Sequence, residues 1–141
     1  MDLPKFKSRE LLIALVCMLA VSLSAFSANP LISDETGKLL ADLVRTSLEY
    51  DLYNARCRGN AASTKTDDSN RLFISKYKLT VDQVINLYIG KDERAERATI
   101  EQEFLQKIGQ MGGCAMAKKK GLREELDQNY RKLLEQISNL P

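Results

Sequence analysis

Leu39, Leu40, Leu43, Val44, Leu48, Leu52 and Ala55 recur at steps of three and four, the spacing that lines one face of a helix. The same period returns in Val81, Val84, Ile85, Tyr88 and Ile89, and again in Ile100, Phe104, Leu105, Ile108 and Met111. A last stripe runs through Leu122, Leu126, Tyr130, Leu133, Leu134 and Ile137. Strand-like alternation and internal repeats are both missing from the sequence. The pattern therefore predicts an all-α chain, a small bundle of four to five helices.

Local signals set the boundaries. Ser33 and Asp34 are cap candidates for a helix from about Asp34 to Cys57, stopping at Gly59, with Gly37 slightly weakening its first turn. Residues 59–70 are small and polar without any period, which predicts an exposed loop. Leu72, Phe73, Ile74 and Tyr77 read as one or two helical turns. Thr80-Val81-Asp82-Gln83 is a capping box, opening a helix that should stop at Gly90. Asp92 caps a charged helix with opposite charges four apart at Glu93/Arg97, Arg97/Glu101 and Glu103/Lys107. Gly112-Gly113 should end it, and the last helix should span about Leu122 to Ser138.

The amino terminus reads as an address label. Lys5, Lys7 and Arg9 precede an uncharged run whose densest part, Leu11 to Leu23, is about 20 Å long as a helix. A bilayer core is about 30 Å thick, so this run suits a signal-peptide core better than a membrane span. Small residues follow, and a cut after Ser27 leaves Ala25 and Ser27 where a signal peptidase requires them. The expectation is a signal peptide at 1–27 and one helical domain at 28–141. An uncleaved anchor over Leu11 to Ala28 is the alternative. Cys17, mid-run and preceded by the β-branched Val16, reads as apolar filler and not as a lipid attachment point.

Export changes the meaning of the other two cysteines. With the leader removed, Cys57 and Cys114 remain, and an even number of cysteines in an oxidising compartment predicts a disulfide. Closing so long a loop is worth roughly 4 kcal/mol in the chain-entropy model. Both cysteines fall at predicted helix ends, as a staple between packed helices requires. A zinc site lacks partners, because the sequence contains no histidine.

Composition narrows function. The absence of histidine removes the usual general base and the commonest metal ligand. Carboxylates do not make up for it: Asp67 and Asp68 adjoin in the loop, while Glu101 and Glu103 diverge on a helix. The Asp67-Asp68-Ser69-Asn70 run lacks the alternating ligands of a calcium loop, and Ser75-Lys76 cannot fold its amine back onto the hydroxyl. No enzyme, metal or cofactor is expected. With 21 basic against 19 acidic residues, no nucleic-acid footprint is expected either.

What remains is binding. Tyr50, Tyr53, Arg56 and Arg58 combine the residue types favoured at protein interfaces and form the candidate partner-binding patch. Lys118, Lys119 and Lys120 with Arg123 form a candidate basic surface patch, suited to an acidic partner or an anionic membrane surface. A helix rim and a solvated turn are the plainer readings of these two features. In outline the chain resembles small periplasmic helical proteins such as acid-stress chaperones and toxin-neutralising immunity proteins, through size, leader and cysteine pair alone. The expected function is non-catalytic binding of another protein in the periplasm or outside the cell. The alternatives are a periplasmic stress chaperone and, if the leader is retained, a membrane-anchored accessory subunit.

Overall fold

Ser33 opens the first helix of the computed structural model, which describes residues 32–141. The leader expected at 1–27, its cut and Cys17 lie outside the described residues. Helix α1 spans Asp34–Arg58, with Ser33 Oγ accepting from the Thr36 amide at 3.1 Å and Gly59 closing it at φ 70°. Asp34 and Glu35 sit at its positive end, Arg56 and Arg58 at its negative end. Gly37 is there for packing: the Tyr88 ring lies where a β-carbon at 37 would stand.

The second helix corrects the predicted loop. Helix α2 spans Thr64–Tyr77, so only Gly59 to Ser63 connects the first two helices and residues 64–70 are helical. Nothing nearby in sequence caps this helix, and Ser63 makes no side-chain capping bond. The cap comes from α1 instead. Asp51 accepts from the Lys65 amide at 3.2 Å, the Thr66 amide at 2.9 Å and the Thr66 hydroxyl at 2.8 Å. A carboxylate on another helix thus stabilises donors that would otherwise be orphaned.

Helix α3, Val81–Val84, carries the expected capping box, with bonds of 3.2 and 2.8 Å between Thr80 and Gln83. It continues into a π-turn at Ile85–Ile89, closed by a 3.0 Å bond from the Gly90 amide to the Ile85 carbonyl. Helix α4 spans Glu93–Met111, the short α5 Cys114–Lys119, and α6 Leu122–Asn139. Among the described residues there are six α-helices and no strand, the all-α bundle that the apolar periods predict. The short α5 has no apolar stripe of its own and escaped the sequence pattern.

Helix α1 is the spine. Its Asp51 meets the start of α2, and its Ser47 meets Ser69 further along, so α1 and α2 run antiparallel. Lys65 and Lys76 of α2 meet Asp127 and Ile137 of α6, so those two run the same way. Cys57 in the last turn of α1 bonds to Cys114, the first residue of α5, with the α-carbons 5.3 Å apart. Around this staple Tyr50, Tyr53, Phe104, Ile108, Ala117, Leu122 and Leu126 form a buried apolar cluster. Burying a side chain of this size contributes about 1.5–3 kcal/mol. At the other end of α6 the Lys76 ammonium donates to the carbonyls of Ile137, Ser138 and Leu140, the open end of that helix.

Only one of the expected intrahelical ion pairs of α4 forms, Glu93–Arg97 at 2.5 Å. Glu101 pairs with Arg56 and Glu103 with Arg45, both at 2.6 Å, so these charges reach across to α1. Lys107 turns to Glu125 of α6, 4.0 Å away. All three are solvent-exposed and contribute modestly.

Candidate binding site

Tyr50 belongs to α1, Lys65 to α2, and Arg123, Asp127 and Arg131 to α6; the packing of the three helices brings them together. The Asp51 cap fixes the start of α2, which sets Lys65 over two aromatic rings. Its ammonium lies 4.4 Å from the Tyr130 ring centre and 5.3 Å from that of Tyr50, and 3.4 Å from the Asp127 carboxylate. Arg131 also holds Asp127, through Nε at 2.8 Å. The Arg123 guanidinium stands 5.9 Å from the Tyr50 ring centre and donates to the Tyr50 hydroxyl at 3.2 Å. The Tyr50 ring thus has two cations within about 6 Å of its centre, a proximity its quadrupole favours. Burial pushes the Tyr130 hydroxyl above the ordinary value of 10.0.

Tyr50, Lys65, Arg123, Asp127 and Arg131 line a depression of about 550 Å³ together with Glu124 and Gln128. A second depression of about 320 Å³ is lined by Tyr53, Arg58, Ala115, Lys118 and both bonded cysteines. Arg123 and Glu124 belong to both linings, so the two depressions adjoin there, and together they are called the groove below.

Arg123 differs from its neighbours. Asp127 takes both Lys65 and Arg131, and Arg58 donates to the Asn54 side chain at 3.4 Å. Arg123 makes no ion pair among the described residues, and its Nε is buried without a hydrogen-bond partner. Its charge is therefore offset by no carboxylate within ion-pair distance among the described residues, which favours an anion at its accessible side.

Of the tyrosine–arginine patch expected from the sequence, Tyr50, Tyr53 and Arg58 line the two depressions and Arg56 does not. Tyr50 and Tyr53 are 7% and 2% exposed and belong to the core cluster, because a helix this closely packed buries the face that carries them. Arg56 lines neither depression and pairs with Glu101. Arg58 does reach the groove. The basic run divides in the same way: Lys118 and Arg123 line the groove, whereas Lys119 and Lys120 do not. Lys120 points back to the Met111 carbonyl, 3.5 Å away.

Lys65, Asp127 and Arg131 were not singled out from the sequence. The spacing of Arg123, Asp127 and Arg131, four apart on one helix face, was a readable signal for two of them. Lys65 has none, since the polar, aperiodic run around it predicts a loop.

No protein-family profile matches the sequence, and no curated protein or solved structure matches it.

Proposed function

We propose that this is a small exported helical protein, periplasmic or secreted, that acts without catalysis by binding another protein. The observation that carries this reading is the depression between α1, α2 and α6, where Arg123 is half-buried beside Tyr50 without an ion pair among the described residues. Arginine and tyrosine in a concave, partly desolvated setting are what binding hot spots are made of. The Cys57–Cys114 bond fits the compartment, because structural disulfides persist where thiols are not kept reduced.

Purification from native cells without reductant, after mild cross-linking, tests it. The expected result is a chain beginning near Ala28, an intact disulfide by mass, and a partner protein in stoichiometric amount. A cytosolic chain that still carries Met1 or Asp2, with both Cys57 and Cys114 open to alkylation, overturns it.

A further inference from the structure

We infer that the Arg123-centred groove binds an acidic, extended peptide segment of a partner protein, with a carboxylate seated on the Arg123 guanidinium. The inference rests on the binding reading above and names its chemistry.

Charge comes first. The joint lining holds five cationic side chains against two carboxylates, Glu124 and Asp127. The whole chain is nearly balanced, with a formal net charge of +2. A local cationic excess inside a concavity attracts anions more strongly than the same charges spread over a convex surface. Arg123 then supplies the anchor. Its planar fork matches a carboxylate, and one of its N–H groups is already fixed by Tyr50, which orients the plane. The other groove cations hold internal partners or, like Lys118, stand at the exposed rim.

The form of the groove selects among anions. Two shallow depressions meeting at Arg123 suit an extended chain better than one compact ligand. Glu124 and Asp127 interrupt the cations, and a dense phosphate polymer would meet both. A peptide with carboxylates spaced by neutral residues avoids them and leaves its own backbone donors for their oxygens. A bilayer surface is too flat to reach Lys65, which sits over the Tyr130 and Tyr50 rings.

A fluorescein-labelled peptide of alternating glutamate and serine, titrated into the disulfide-bonded chain at low salt, tests this. Saturable binding is expected, weakened about tenfold by Arg123→Gln. Arg123→Lys should be intermediate, since it keeps the charge and loses the fork. Lys119→Gln removes an equal charge just outside the groove and should change affinity by less than about twofold. Arg131→Gln, an exposed change at the other end of the lining, should weaken binding about threefold and keeps the test valid if Arg123→Gln unfolds. Equal effects of Arg123→Gln and Lys119→Gln overturn the proposal. So does tighter binding of inorganic polyphosphate at matched charge, or binding to phosphatidylglycerol vesicles but not to the peptide. Cross-linking with the Arg123→Gln chain separates the two readings. A partner retained undiminished sinks the groove and leaves the function standing, whereas no partner with either chain sinks the function.

Discussion

The two flanks of α1 are built from opposite materials. At its carboxyl end, Tyr50 and Tyr53 pack with Phe104, Ile108, Ala117, Leu122 and Leu126 in an apolar cluster closed by the Cys57–Cys114 bond. Along its contact with α2 a polar seam is buried beside Phe73: Ser47 and Asp51 of α1 meet Ser69 and Thr66 of α2. The Ser69 hydroxyl lies 3.2 Å from that of Ser47 and 2.9 Å from the Lys65 carbonyl, while Ser47 bonds back to the Leu43 carbonyl at 2.5 Å. Apolar packing has no preferred direction and tolerates small shifts. Hydrogen-bonded polar contacts fix one register, because any slip leaves buried groups unpaired. The apolar flank therefore supplies most of the cohesion, and the polar seam decides where α2 starts and hence where Lys65 stands.

Substitutions can break that contrast. Replacing both Cys57 and Cys114 by serine should have the largest effect, about 4 kcal/mol in urea unfolding, with little change in helix content below the transition. Next comes Asp51→Ala, expected to cost about 3 kcal/mol, because it orphans three donors at the start of α2. Hydrogen exchange should show that loss concentrated at residues 64–70; a uniform loss over all helices would show that Asp51 is not a local cap. Ser69→Ala should cost about 1 kcal/mol. Combined with Ser47→Ala in a double-mutant cycle, it should cost less than the two single changes added, since one contact is lost only once.

The smallest effect has the opposite sign. Burial raises the Glu49 carboxyl above 4.5, outweighing the attraction of Lys107 and Arg45. The folded state then holds the proton more tightly than the unfolded state, so the ionised side chain costs stability at neutral pH and the cost fades as pH falls. Glu49→Gln should stabilise the protein at pH 7 by at most about 0.5 kcal/mol, after allowance for solvent screening. The gain should disappear as acid protonates the wild-type carboxyl. Thermal melts across a pH series would show it, and a destabilised Glu49→Gln at neutral pH would refute the sign.

The same contrast explains what the sequence disclosed. Apolar stripes announce themselves through spacing, so α1, α4 and α6 were legible to within a residue or two. Helix α2 was legible only at Phe73 and its neighbours, because its first half buries threonine and serine and its cap is Asp51, a helix away. The pairs Arg45–Glu103 and Arg56–Glu101 join residues far apart in sequence and compete with the intrahelical pairs that spacing suggests. In the groove, Arg123, Arg58 and Lys118 were visible as charges, but the division between Lys118 and Lys119 depends on where α5 turns. That turn was not written in any period.

Gly113 carries a further consequence. It leads into Cys114 at φ 87° and ψ −177°, the mirror image of an extended L-residue. Handedness, not size, is what this position specifies. In a chemically synthesised chain, D-alanine at 113 would adopt that backbone without strain and would narrow the choices of the unfolded chain. The folded state would gain about 0.4–1 kcal/mol from that restriction, with no new contact made.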